Sequence, residues 1–367
     1  MRLVYVSNFF HKRAGTLYGH TFTKLLHGLI RDGHYVYPFS TNDMMRLRSP
    51  TGHTAFGTGA VNKALLEVCG NVEPDFLLLS QGKPYTPETL RELKRRHPHM
   101  PIAMIWVDPV WTGAELYGLR EKLPLVDSFF LTTSGHYLEG FAGPGRVTAY
   151  IPTPTDITVD RHRAFECDAP EYDAVFFGVD VPERNRELEE IRRRCPNLRL
   201  GFFGCLGTPR VWGVPKERIM ARSKMAINLS RRADMPLYSS NRLGDTTANG
   251  LLNLSPASTG LQALYRPHEA VYFDDIADLA EKLNHYAAHD AERIAIAKAG
   301  WRRSHEDFSA SRVSQFMIDA TLRTPGYDDV PWPQFIDEDG QKKRWQSDLL
   351  PVCDAAPATG APARLAG

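Results

Sequence analysis

The sequence predicts an α/β protein of two domains, each with a mostly parallel sheet covered by helices on both faces. Three observations predict it. Short apolar runs alternate with helical stretches along most of the chain, the pattern of βα units and not of hairpins. The alternation breaks at Ile151-Pro-Thr-Pro-Thr-Asp156, where two prolines deny both a helix and a central strand. The chain has 367 residues, enough for two cores. These observations divide it into a first domain over 1–155 and a second over 156–325. A proline-rich, aromatic and charged segment over 326–352 is expected to pack across the two, and 353–367 reads as a disordered tail.

In the first domain Leu3–Ser7 is a short buried-type strand. Phe22, Leu25, Leu26, Leu29 and Ile30 share one face of a helix over Gly19–Arg31, which Gly33 ends. His34–Phe39 is the next strand, a helix surrounds Ala60–Val68, and Asp75–Ser80 is a strand. Thr86-Pro87-Glu88 starts a helix with a capping hydroxyl, a first-turn proline and an acid. Pro101–Val107, Ser128–Thr132 and Val147–Tyr150 complete the strands. An interdomain linker falls near Pro152–Cys167.

In the second domain the expected strands are Asp173–Phe177, Leu198–Phe203, Met225–Leu229, Leu251–Leu254 and Glu269–Phe273. The expected helices are Arg186–Arg194, Lys216–Arg222, Arg242–Asn249, one from Ile276 to Tyr286, and Ala291–His305.

Composition excludes several classes. A formal net charge of +1 gives no strong electrostatic footprint for nucleic acid or anionic lipid. No stretch approaches the roughly 18 apolar residues of a membrane helix, and the amino terminus reads as a strand and not a signal peptide. The five scattered cysteines contain no Cys-x-x-Cys, so neither a disulfide framework nor a zinc site is expected and a reducing cytoplasm suits the chain. Attachment to the inner face of a membrane stays open. There is no Gly-x-x-x-x-Gly-Lys-Ser/Thr, no Gly-x-Gly-x-x-Gly after the first strand and no His-Glu-x-x-His. Asp337-Glu338-Asp339 lacks a preceding apolar strand, so no metal site is expected there.

Chemistry concentrates between Ser223 and Gly300. An apolar strand ends at Asn228-Leu-Ser230, and the loop Tyr238-Ser-Ser-Asn241 opens a helix whose first turns carry Arg242 and Asp245. Backbone N–H groups at such a helix start, with Ser239, Ser240, Asn241 and a guanidinium, suit a diphosphate. The bland reading is a helix cap with a solvated arginine. Asp245 lies one turn on, placed either to meet ribose hydroxyls or to pair with Arg242. Arg184 and Lys216 are further phosphate candidates, each also readable as a solvated charge. Gly204, opening Gly204-Cys205-Leu206-Gly207, either lets the backbone approach a nucleobase or makes a plain turn.

The first domain carries candidates for a general base. His11 and His20 lie in the loop after the first strand, and Asp108 ends another strand, where it could equally be a cap. Trp106, Trp111 and Tyr117 suit core packing better than a sugar platform.

These features resemble the GT-B glycosyltransferases and, more narrowly, the CgeB-like, group 1 glycosyltransferase family. The residues that carry the resemblance are Asn228-Leu229-Ser230, Ser239-Ser240-Asn241-Arg242-Leu243, Asp245, Ala248-Asn249-Gly250, Asp274-Asp275 and Ile296-Ala297-Lys298-Ala299-Gly300. Pro74-Asp75, Trp106-Val-Asp108-Pro109 and Phe176-Phe177-Gly178 with Arg184 match more weakly. Family members commonly place glutamate where this chain has Asp245.

The resemblance implies two Rossmann-like domains facing a cleft and metal-independent transfer of a sugar from a nucleotide-diphosphate sugar to a hydroxyl acceptor, by preference a carbohydrate. No cofactor is expected beyond that donor. The competing readings are a transferase for a modified nucleic-acid base, an inactive nucleotide- or glycan-binding module, and a sugar-nucleotide epimerase.

Overall fold

The computed structural model describes residues 1–108, 110, 118–230, 235–333, 335–338 and 341–344, the last two stretches as backbone alone. Trp111, Tyr117, Asp339 and the expected tail lie outside the described residues.

The first sheet runs β2-β1-β3-β4-β5-β6-β12-β13. Its parallel part is β1 (Arg2–Ser7), β2 (Tyr35–Ser40), β3 (Phe76–Ser80), β4 (Ile102–Trp106), β5 (Ser128–Leu131) and β6 (Val147–Tyr150). Every residue of β3 to β6 is buried, as expected of strands covered on both faces. The second sheet runs β11-β10-β9-β7-β8 and is parallel throughout. Its strands are β7 (Tyr172–Phe177), β8 (Leu200–Phe203), β9 (Ser223–Ile227), β10 (Leu252–Pro256) and β11 (Val271–Phe273). The expected strands are all present, with ends shifted by a residue or two.

Both sheets reverse their winding once. The chain steps from β1 out to β2 and returns to β3 on the other side. It likewise steps from β7 to β8 and returns to β9. Ligands of open α/β sheets bind at the carboxyl ends of such strand pairs.

The chain crosses between the domains twice, side by side. Thr155 N–H donates to the Phe308 carbonyl at 2.9 Å, and Ala310 N–H donates to the Thr155 carbonyl at 2.7 Å. The expected second domain ran to 325. Instead, the helix Ala310–Leu322 returns to the first domain and packs against the helix Thr21–Arg31. Gly28 makes this approach possible, because a Cβ there would lie 2.5 Å from the Ala310 carbonyl carbon. Ser128 and Thr321 hydroxyls meet at 2.6 Å, and Trp332 packs edge-on to Phe316 beyond the helix. The helix went unread although Val313, Phe316, Met317 and Ala320 have helical spacing behind the cap Ser309.

The segment after it was expected to pack across both domains. Phe335–Glu338 (β12) pairs antiparallel with β6 and with Gln341–Arg344 (β13), so its described backbone extends the first sheet. A short helix missed by the sequence reading, Thr41–Arg48, follows β2 directly.

Candidate active site

The two strand reversals face each other across a cleft of about 820 Å³. Its second-domain wall begins at the helix Asn241–Ala248. Ser240 caps that helix, its hydroxyl accepting from Leu243 N–H at 3.4 Å. Arg242 then spans the reversal between β7 and β9. It donates Nη1 to the Phe177 carbonyl at 2.8 Å, Nη2 to the Leu229 carbonyl at 2.7 Å and Nε to Asn228 Oδ1 at 3.2 Å. Three of the five guanidinium N–H bonds are therefore used among the described residues, and the other two have no partner there.

Arg242 lies 4.6 Å from the centre of the Phe176 ring, and Arg184 lies 5.2 Å from the same ring. Burial, and then the Arg184 charge, lower the Arg242 pKa to about 9. No carboxylate pairs with Arg242 among the described residues. Two cations share one aromatic ring beside a cleft, an arrangement that an anion would stabilise.

Asp245 does not pair with Arg242. Its carboxylate meets Lys24 Nζ at 2.7 Å and Lys216 Nζ at 2.5 Å. Lys24 is 1% exposed and also meets Asp160 at 2.7 Å. One buried ion chain thus joins the first domain (Lys24), the linker (Asp160) and the second domain (Asp245, Lys216). Burial pulls Asp245 upward, but Lys216 and Lys24 together hold it well below the usual carboxylate range. Asp160 sits deeper with one lysine, and burial keeps it raised.

The loop after β1 closes the cleft from the other side. Thr21 donates its hydroxyl to Asn241 Oδ1 at 2.6 Å, and the Tyr18 hydroxyl donates to Glu217. On the first domain's wall Asp108 pairs with Lys83 at 3.3 Å, and Gln81 and Asn8 stand nearby.

Residues 184–319 match the family model described as "Glycosyl transferase-like". The chain has the GT-B fold. Among solved structures, Anabaena HepE in complex with UDP and glucose is similar at a TM-score of 0.61 and 11% identity, over 88% of this chain and 100% of that one. Sucrose-phosphate synthase from Thermosynechococcus elongatus is similar at 0.58 and 13% identity, over 88% and 99%. A UDP-N-acetylglucosamine 2-epimerase is similar at 0.50 and 11% identity, over 90% and 97%. These likenesses show a shared fold, and the fold by itself does not choose a reaction. No curated protein matches the sequence.

Within the GT-B cleft the structure gathers eight of the expected residues: Arg242, Asp245, Ser240, Asn241, Arg184, Lys216, His20 and Asp108. Three others stand apart. His11 is exposed and outside the cleft lining, its backbone N–H donating to Asp43. Ser239 is a brace between domains, its hydroxyl accepting from Thr153 N–H at 3.0 Å and its carbonyl from the Thr153 hydroxyl. Gly204 makes a turn behind the wall at φ +80°, where a Cβ would lie 2.3 Å from the Gly178 carbonyl oxygen. Trp106 is 2% exposed, in the core.

Sequence reasoning missed Lys24, Asp160, Tyr18, Glu217 and Gln81. Lys24 had a usable signal, being a lysine amid the apolar positions of an amphipathic helix.

His20 lines the cleft but is poorly placed as a base. Its Nδ1 caps the helix Thr21–Arg31, accepting from Phe22 N–H at 3.5 Å, so the neutral ring carries its proton on Nε2. Burial lowers its pKa to about 4. A histidine with a depressed folded pKa contributes stability that is present above its unfolded value of about 6.5 and lost as pH falls toward 4. Asp160, raised, has the opposite slope in part of that window. The checking measurement is therefore a difference. His20→Asn keeps a capping side chain and should lose about 1–2 kcal/mol less than the parent between pH 7 and pH 4.5 in urea titrations.

Proposed function

We propose that the protein transfers a sugar from a nucleoside-diphosphate sugar to a hydroxyl acceptor. The observation that supports this most is the cationic pair Arg242 and Arg184 on one aromatic ring, at the strand reversal, where among the described residues two guanidinium N–H bonds of Arg242 are not engaged and no carboxylate pairs with Arg242. A diphosphate brings anionic oxygens to this pair. As the sugar leaves, charge grows on that diphosphate, and groups fixed in advance stabilise it without a metal ion. Lys216, 5.5 Å above the Phe177 ring, can turn from Asp245 toward the same phosphates. Asp108, on the facing wall, is the group offered to the acceptor's proton. Closure of the two walls through Tyr18–Glu217 and Thr21–Asn241 would keep water from the donor.

Thermal shifts with UDP, GDP, ADP and dTDP test the donor reading. One diphosphate at about 100 times its Kd should add about 2.7 kcal/mol, and its parent nucleoside far less. If none shifts the transition, the reading fails. EDTA should leave turnover intact; its loss would refute the metal-free account.

A second reading, nucleotide binding without transfer, has one observation in its favour. Both Asp245 oxygens are held by lysines and are not presented to a ribose. Diphosphate affinity with no sugar released from any nucleotide sugar would select it.

A further inference from the structure

We infer that Gln81 reads a hydroxyl of the acceptor, in a subsite at the first domain's own strand reversal, and that the acceptor is a polyhydroxylated molecule of the sugar class; this rests on the sugar-transfer reading. Gln81 follows the carboxyl end of β3, beside β1, where the first sheet changes direction. It lines the cleft with Asn8, Ser80, Lys83 and Asp108.

Its backbone is in an unusual state. Gln81 has φ +69° and Gly82 follows at φ +53°. A left-handed conformation disfavours a non-glycine residue and persists where its surroundings hold it there. The holding groups are visible. Gln81 N–H donates to the Ile105 carbonyl at 2.8 Å. Lys122, 6% exposed, donates Nζ to the Gly82 carbonyl at 2.9 Å and the Lys83 carbonyl at 3.2 Å. A buried ammonium is thus committed to two backbone oxygens of this turn.

The side chain that the turn presents has one atom without a partner among the described residues. The Gln81 Oε1 is buried and makes no hydrogen bond among the described residues. Buried polar groups are normally satisfied, so an unsatisfied amide on a strained residue in a cleft wall implies an incoming partner. The chemistry of that partner follows from the donors and acceptors. An amide accepts at one atom and donates at the other, as a hydroxyl does. Lys83 and Asp108, 3.3 Å apart, again put a donor beside an acceptor. A phosphate would call for donors alone, and the cationic pair on the opposite wall already offers those. The mixed set on this wall matches neighbouring hydroxyls of a sugar.

The test uses the full chain and the methyl glycosides of glucose, galactose, mannose and N-acetylglucosamine. Binding is followed by saturation-transfer NMR, with and without the nucleoside diphosphate that gives the largest thermal shift. At least one glycoside should bind. Gln81→Ala should weaken it about tenfold, against a change below about twofold in diphosphate affinity. Gln81→Gly, which suits the turn, should weaken the glycoside equally while leaving the melting temperature equal or about 2 °C higher. That combination separates a ligand-reading role from a structural one. Equal glycoside affinity in parent and variants, or no glycoside bound by the parent, overturns the inference. Absence of any diphosphate binding would instead overturn the sugar-transfer reading beneath it.

Discussion

Arg242→Ala should weaken nucleoside-diphosphate binding about 100-fold or more and also lower stability by about 2–4 kcal/mol. Both effects come from one side chain with two sets of N–H bonds. Two remaining donors facing a diphosphate are charge-assisted, worth about 1.5–3 kcal/mol each, and losing most of that reaches two decades in Kd. The three donors already engaged tie Phe177, Leu229 and Asn228 together across the reversal between β7 and β9. Their removal leaves buried carbonyls without a partner, at about 1–3 kcal/mol each.

The two effects separate by experiment. Calorimetric titration at a temperature where the variant stays folded should show the affinity gap between diphosphate and nucleoside collapsing. Arg242→Lys should keep the charge but not the fork, and recover little of either. If the variant loses stability yet binds the diphosphate within threefold of the parent, Arg242 is a strand brace and not a ligand group.

How much of this was legible in the sequence depended on how local each cause was. Strands such as Phe76–Ser80 and Ile102–Trp106 announce themselves as unbroken apolar runs, because both faces are covered. Thr86-Pro87 announces a helix start through its own chemistry, and Thr86 Oγ1 indeed accepts from Thr89 N–H. Arg242 and Lys216 could be placed near one another because they sit on elements of one domain.

What periodicity reports is which face of an element is buried, not what it is buried against. The partners of Lys24 are 136 and 221 residues away. For Asp245 the sequence offered ribose hydroxyls or the cation nearest in sequence, Arg242, whereas tertiary structure supplies two lysines from other helices. Gln81 carries no pattern at all. Its turn is held by Lys122 through the Gly82 and Lys83 carbonyls, and its significance lies in an amide oxygen without a partner among the described residues.

Lys24→Met should cost about 3–5 kcal/mol, the largest stability change expected of any single substitution outside the hydrophobic core. Methionine nearly matches the lysine stem in volume, so the loss is electrostatic and not a cavity. Lys24 is enclosed between Asp160 and Asp245, and removing it leaves buried carboxylates short of their counter-charge. Asp245 retains Lys216. Among the described residues Asp160 retains only neutral donors, the Asp156 backbone N–H at 2.9 Å and Asn249 Nδ2 at 3.3 Å. The penalty therefore falls mainly on Asp160, whose pKa is already raised by burial with the lysine present. Without it the folded pKa rises further, and the folded state takes up a proton that the unfolded chain releases near pH 4. The variant's deficit should consequently shrink as pH falls from 8 to 5. Adding Asp160→Asn removes the stranded charge and should restore most of the loss at neutral pH. Urea denaturation of the single and double variants at pH 5 and pH 8 gives all four values. A deficit independent of pH, or a double variant no better than the single, would mean that Lys24 holds the domains together by packing and that the ion chain contributes little.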